Sequence, residues 1–162
     1  MSVYSKFLHN ELTEMAVTRN DAKNIIFSQL HSVAEHFIKI CIGCDLYSAE
    51  KGNDWEKQIN SFFDRISRVI LTSNNKPPKY DFYVPIIERV IKDYLDDPRV
   101  DLISKEIKEH SNYDGTPLRN PNIFKVLEIT KKWLEIICLD ISNGKNTFKD
   151  NYETILNEFK EL

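Results

Sequence analysis

The stretch from residue 24 to residue 44 constrains the fold of this chain more than any other part. Its sequence, NIIFSQLHSVAEHFIKICIGC, places most of its apolar side chains on one arc when it is wound at 100° per residue. The arc consists of Ile26, Phe27, Leu30, Val33, Ala34, Phe37, Ile38 and Cys41. His31 lies at the edge of this arc, and His36 lies about 140° from it. The stretch is therefore predicted to be a core helix with polar flanks, whose two histidines cannot bind one metal ion unless other elements contribute.

The rest of the chain favours an all-α fold. Only four of the 162 residues are glycine, and alternation of apolar and polar residues typical of strands is nearly absent. The length suits one domain covering residues 1–162. No apolar run reaches the roughly 20 residues that span a bilayer, and the first residues lack a signal-peptide core. We therefore expect one cytoplasmic domain, a single compact bundle of six or seven helices.

Helix boundaries follow from caps, prolines and apolar spacing. The predicted helices are residues 3–17, 20–44, 54–70, 81–95, 100–109, 123–141 and 147–162. The second and sixth are expected to be central, because the sixth is apolar around most of its circumference. Leu95 and Leu102 are expected on the inward faces of the fourth and fifth helices. A polar turn is predicted at 48–53, and the prolines in 73–81 and 111–122 predict two breaks.

Three cysteines, Cys41, Cys44 and Cys138, cannot all pair within one chain, and with no secretory signal they are expected to be reduced thiols. Cys41 and Cys44 form a C-x-x-C pattern. The redox form of that pattern follows a strand, whereas here it closes a predicted helix. A zinc site would need further ligands at suitable spacing. Structural thiols are therefore expected, and neither a metal nor a cofactor is predicted.

Patterns that carry catalysis are missing from the sequence. The few glycines do not form a phosphate-binding loop, and neither a G-x-S-x-G nor an H-E-x-x-H pattern occurs. His31 and Glu35 lie one helical turn apart, so Glu35 could orient His31 as a base. The simpler interpretation is a hydrogen-bonded pair on the flank of the helix. No catalytic residue is therefore predicted.

Two surface features are candidates for binding a protein partner. Asp93, Asp96, Asp97 and Asp101 gather where the fourth predicted helix meets the fifth, although Arg89, Lys92 and Arg99 dilute their charge. The loop 111–122 contains Tyr113, Asp114 and Arg119 and is longer than most loops in compact domains. Each feature has a plainer interpretation, a solvated helix end for the aspartates and a cover over one end of the bundle for the loop.

Charge and composition argue against other partners. A net charge of −3 lacks the basic face of a general nucleic-acid binder. Lys76, Lys79 and Tyr80 form the only mixture of basic and aromatic residues, and a stacking platform for single strands would need more of both. Neither nucleic acid nor a membrane is expected as a partner, and the sequence leaves the oligomeric state open.

The helix KNIIFSQLHSVAEHFIKICI, residues 23–42, is similar in texture to the long helix of HEPN domains, bacterial helical modules of which many are RNases in defence systems. Their catalytic signature is an arginine, four to six residues, and then a histidine. Arg99 precedes His110 by too many residues, and Arg19 is still farther from His31. This resemblance therefore implies a helical scaffold without the nuclease.

A second pattern, Leu30-x5-His36-x2-Lys39 followed by Trp55-x3-Ile59-x6-Ile66, resembles the central helices of the bacterial all-helical family called domain of unknown function 29. The resemblance ends at residue 66, and the carboxyl-terminal half does not share it. It implies a helical fold and carries no activity over to this chain.

Together these observations predict a non-enzymatic binding protein of bacterial competition or defence, most concretely an immunity protein or antitoxin that neutralises a toxic nuclease. Its surface would comprise the four aspartates together with Tyr113, Asp114 and Arg119. Two alternatives remain open: a degenerate HEPN-like scaffold in a defence complex, and a metal or redox protein. The latter would use His31, Glu35, His36, Cys41 and Cys44, and metal analysis of the purified protein would separate it from a binding protein.

Overall fold

The structure is a computed structural model that describes residues 19–50, 78–109, 113, 115–145 and 148–162. These residues form five α-helices and one short 3-10 helix, and no strand occurs among them. The helices are α1 (Arg19–Glu50), α2 (Val84–Asp96), α3 (Val100–Lys108), α4 (Ile123–Ser142) and α5 (Phe148–Lys160), with the 3-10 helix η1 at Tyr80–Phe82. The all-α prediction is confirmed. Five helices are fewer than the six or seven predicted, and the predicted helices 3–17 and 54–70 lie outside the described residues.

Helix α1 differs from its prediction at its carboxyl end. The prediction ended this helix at residue 44 and placed a polar turn at 48–53, but the helix continues to Glu50. Gly43 has a non-helical backbone (φ −126°, ψ 38°), so the helix kinks there and resumes. A single glycine costs a helix only about 1 kcal/mol relative to alanine, so a glycine without a proline or a cap beyond it does not end a helix.

The start of α2 is also later than predicted. The fourth helix was expected to begin near residue 81, whereas η1 occupies Tyr80–Phe82 and the α-helix begins at Val84. Pro85 lies in the first turn of α2. Proline has no backbone N–H to donate, so it fits the first turn of a helix, where that group would have no intrahelical acceptor.

Side-chain contacts define the directions of the helices. Contacts between α1 and the segment from η1 to α3 advance along both in the same direction, so these elements are roughly parallel. The contacting pairs are Lys23–Phe82, Phe27–Arg89, His31–Tyr94, Glu35–Arg99 and Lys39–Glu106. Helix α4 runs in the opposite direction, because Arg119 just before it reaches Ile42 of α1, while Cys138 near its end lies close to Tyr80.

The described helices share one hydrophobic core, to which α1 contributes more buried side chains than any other helix. The predicted arc of α1 is buried apart from Phe27, which is half-buried, and Phe37 stacks on Phe159 of α5 with ring centroids 4.8 Å apart. Helix α4 begins at Ile123, after the N-cap Asn122, whose side chain accepts hydrogen bonds from two backbone N–H groups, and it ends before Gly144 at φ 68°. None of the described helices has a segment both long and apolar enough to cross a bilayer.

Two buried tyrosines near the ends of α2 differ in their hydrogen bonding. The Tyr94 hydroxyl donates to the backbone oxygen of His31 over 2.9 Å, whereas the Tyr83 hydroxyl has no hydrogen-bond partner among the described residues. Burial raises the pKa of both hydroxyls, so both are protonated at neutral pH. A buried hydroxyl without a partner costs about 1–3 kcal/mol, while a satisfied hydrogen bond contributes about 1 kcal/mol.

Phenylalanine at these two positions is expected to have opposite effects on stability. Tyr83→Phe should leave the free energy of unfolding unchanged or raise it by about 1 kcal/mol, because it removes a buried polar group that has no partner in the described part of the chain. Tyr94→Phe should lower it by about 1–2 kcal/mol, because it leaves the carbonyl of His31 without this donor. Urea denaturation of both variants measures the difference, and an equal loss of stability in the two would contradict the prediction.

Candidate functional site

Four aspartates lie around the connection between α2 and α3. We call this group the acidic junction, and it consists of Asp93, Asp96, Asp97 and Asp101. All four side chains are exposed, Asp93 to 49 %. Asp93 and Asp96 belong to the last turn of α2, Asp97 to the connection and Asp101 to the first turn of α3. Asp96 and Asp101 form no ion pair within the described part of the chain. The acidic junction thus presents carboxylates that are open to a partner.

The side chain of Arg99, expected to dilute this charge, forms an ion pair with α1 and with none of the four aspartates. The backbone of Arg99 is left-handed (φ 59°), which is uncommon for a residue other than glycine, and its N–H donates to Asp97 Oδ1 over 3.2 Å. This conformation accompanies a contact with α1, where Arg99 Nη1 lies 3.4 Å from Glu35 Oε1. Glu35 therefore pairs with Arg99, not with His31 as the sequence had suggested.

The side chain of Arg89 also lies toward α1, with its guanidinium carbon 4.0 Å from the centre of the Phe27 ring. A cation over an aromatic face gains roughly 0.5–1 kcal/mol at an exposed site, which favours this position. Of the three cations expected to dilute the acidic junction, two are therefore engaged with α1. Lys92 remains exposed on α2.

Two leucines beside the aspartates were misassigned from the sequence. Leu95 is 45 % exposed and Leu102 is 43 % exposed, although both were predicted to face the core. Their neighbours Tyr94 and Ile103 take the inward positions, and adjacent residues of a helix diverge by about 100°. The two leucines were misassigned because an apolar residue next to a core position was counted as core, whereas single exposed apolar residues are common on protein surfaces.

His31 of α1 lies next to the acidic junction and is half-buried. Its imidazole ring stacks on the Tyr94 ring at 4.4 Å, its Nδ1 lies 3.1 Å from the Tyr94 hydroxyl, and its Nε2 lies 3.9 Å from Asp93 Oδ2. Burial lowers the pKa of His31 and Arg99 lowers it further, while Asp93 and Glu35 raise it; the net shift is downward. His31 is therefore largely neutral at pH 7.

The order hydroxyl, imidazole and carboxylate is that of a catalytic triad, but the environment of Tyr94 does not suit a nucleophile. The Tyr94 side chain is fully buried, and its only proton is donated to a backbone carbonyl. Burial and the Glu35 carboxylate raise its pKa, so the reactive phenolate is disfavoured. The cluster can orient His31 and hold a proton next to Asp93, but it does not present the tyrosine to a substrate.

The described part of the long loop is attached to the bundle. The backbone N–H of Arg119 donates to the Ile42 carbonyl at the kink of α1 over 2.8 Å, and its Nη2 donates to the Leu162 backbone oxygen over 2.7 Å. The Tyr113 ring packs against the core and its hydroxyl donates to the Thr116 carbonyl over 2.8 Å. These contacts fit a loop that covers one end of the bundle. Asp114 lies outside the described residues, and a binding role for the loop stays a prediction.

The residues of the metal and redox alternative, His31, Glu35, His36, Cys41 and Cys44, all lie on α1. Cys41 and Cys138 are buried, reduced cysteines, and burial raises the pKa of Cys138 above its usual range. His36 is half-buried, contrary to its position about 140° from the predicted arc, because α1 is covered on several sides. No group of three or more histidine, cysteine or acidic side chains that could hold a metal occurs among the described residues. The side chain of Cys44 lies outside them.

Comparisons with known proteins add no family to this description. No protein-family model matches the chain, no curated protein matches its sequence, and no solved structure matches it. The resemblances to HEPN domains and to the family called domain of unknown function 29 therefore stay predictions from the sequence.

Proposed function

We propose that this chain is a cytoplasmic, non-enzymatic protein-binding module that blocks a basic partner by direct contact. Its most concrete form is an immunity protein or antitoxin that neutralises a toxic nuclease in bacterial competition or defence. The observation that supports this proposal most directly is the exposure of Asp96 and Asp101, which form no ion pair within the described part of the chain. Nucleases bind polyanions, so their active sites carry positive charge that such a surface complements.

The surroundings of the acidic junction support the same proposal. The guanidinium of Arg99 forms its ion pair with Glu35, and within the described residues it forms none with the four aspartates. Leu95 and Leu102 add exposed apolar area beside the aspartates, and the charges of such a surface set the rate and the specificity of association. The partner is therefore expected to combine basic and apolar residues in one surface.

Charge reversal at the acidic junction tests this surface. Asp97 is a poor choice because its carboxylate also accepts the Arg99 N–H, so the double variant Asp96→Lys and Asp101→Lys is used. A partner captured from the native host by the tagged wild-type protein is expected to bind this variant roughly tenfold more weakly at low salt. The difference should shrink as ionic strength rises, because salt screens exposed charges.

The matched control places the same charge change on other helices, with Glu128→Lys on α4 and Glu153→Lys on α5, both exposed. This control should retain the partner with the affinity of the wild type. Thermal unfolding of both double variants checks that each is folded. Equal affinity of the two double variants would remove the acidic junction from the proposed interface.

A further inference from the structure

The two ring nitrogens of His31 face different groups. Nδ1 lies 3.1 Å from the Tyr94 hydroxyl, within hydrogen-bond distance, and Nε2 lies 3.9 Å from Asp93 Oδ2, beyond it. The ring is also held by its stack on Tyr94 and by a tilted contact with Phe27 at 5.6 Å. His31 therefore has little freedom to exchange the positions of its nitrogens.

The two contacts of Tyr94 favour one tautomer of the neutral His31 ring, because a single hydroxyl proton can serve only one acceptor. Tyrosine has one hydroxyl proton, and Tyr94 donates it to the His31 backbone oxygen over 2.9 Å. A second hydrogen bond to Nδ1 then requires an Nδ1–H that donates to the hydroxyl oxygen. Nε2 of the neutral ring is consequently bare, and a bare nitrogen cannot hydrogen-bond to a carboxylate, which agrees with the 3.9 Å separation.

Charged groups from three elements face His31. Glu35 lies on α1, Asp93 on α2, and Arg99 in the connection to α3. Burial, the largest influence, lowers the pKa of His31, and Arg99 lowers it too, whereas the carboxylates of Asp93 and Glu35 raise it. The ring consequently gains its second proton at a lower pH than a free histidine does.

We propose that His31 and Asp93 form a proton-operated switch of the acidic junction. When Nε2 takes up a proton, it donates to the Asp93 carboxylate and neutralises one of the four charges of the acidic junction. At neutral pH the Asp93 carboxylate does not accept a hydrogen bond from His31 and stays available to a cationic partner. The effect on a partner rests on the proposed function, whereas the switch is a property of the isolated chain and is tested separately.

The first experiment uses the protein alone. Imidazole nitrogen and proton NMR shifts are followed from about pH 8 to about pH 4.5 in the wild type, Asp93→Asn and Asp96→Asn, with His31→Gln identifying the resonances. The wild type is expected to show the Nδ1–H form when neutral. The pKa of His31 should fall in Asp93→Asn, which loses the facing carboxylate, and should stay near the wild-type value in Asp96→Asn. A neutral ring protonated at Nε2, or a pKa that does not respond to Asp93→Asn, would overturn the proposal.

The second experiment measures the charge of the surface, with an oligolysine peptide as the cationic probe. Wild type and Asp96→Asn are expected to bind it about threefold more weakly below the His31 pKa that the NMR titration gives than near pH 7.5, whereas Asp93→Asn should show no such change. A pH effect that persists in Asp93→Asn would overturn the switch even if the partner binds at the acidic junction. The double variant Asp96→Lys and Asp101→Lys separates the two proposals. If it still binds the oligolysine and the native partner, and the NMR result is as expected, the proposed function is rejected and the switch is supported.

Discussion

Phe37→Ala is expected to lower the free energy of unfolding by about 4 kcal/mol. Phe37 lies at the centre of α1, is fully buried, and stacks on the fully buried Phe159 of α5 at 4.8 Å. Alanine would remove the buried ring and leave a cavity between two helices that cannot close without shifting one of them. Urea denaturation near pH 7 measures the loss.

The matched control is Phe124→Ala at the start of α4, where the side chain is 71 % exposed. The same atoms are removed there, but little area is withdrawn from the core, so stability should change by less than about 0.5 kcal/mol. If Phe37→Ala does not fold, Phe37→Leu, which keeps most of the buried volume, is measured in its place. Losses of similar size at Phe37 and Phe124 would show that Phe37 does not occupy the core as described.

Acidification is expected to remove about 3 kcal/mol of stability through His36 alone. Burial, with a smaller contribution from Lys39, lowers the pKa of His36 to about 4. The unfolded chain binds the proton near pH 6.5, so it carries more protons than the folded chain between these two values. Stability is therefore highest above pH 6.5, falls as the pH drops, and reaches its full loss near pH 4.

His36→Gln isolates this contribution because every other titrating group is shared with the wild type. The variant is expected to be less stable than the wild type at pH 7, and the gap should narrow by about 2–3 kcal/mol at pH 4 to 4.5. Denaturant unfolding at several pH values gives both curves. If the difference in free energy of unfolding between His36→Gln and the wild type stays constant with pH, His36 has the same pKa in the folded chain as in the unfolded chain.

Helical periodicity allowed much of the fold to be predicted. The arc of α1, the apolar faces of α2 and α5, and the broad apolar surface of α4 follow from local spacing, since a helix repeats every 3.6 residues whatever surrounds it. The signals that end helices were also local and mostly correct, with Gly144 after α4 and the Asp96–Pro98 stretch after α2. The wrong end predicted for α1 near Gly43 shows the limit of such local signals. Glycine kinks α1 at residue 43, whereas glycine follows the end of α4 at residue 144.

The location of the candidate site could be predicted from the sequence, but the contacts and exposure of its side chains could not. The four aspartates could be found by composition, whereas the contacts of Arg99 with Glu35 and of Arg89 with Phe27 join residues that are distant in the chain. Leu95 and Leu102 illustrate the same limit, because a helical wheel gives the angle of a side chain but not the position of the neighbouring helix. The apposition of His31 and Asp93 also required the packing of α1 against α2.

The order of residue types along the chain was enough to establish the all-α character of this protein, most of the core face of the described helices and the presence of an acidic cluster between two helices. These properties depend on spacing over one or two turns, which local geometry governs. The packing of the helices was needed to show which charges remain open, which tyrosine has a hydrogen-bond partner, that His36 is half-buried and that His31 faces Asp93. Those properties depend on distances between separate helices, and a few ångströms there decide whether a group is paired, buried or exposed.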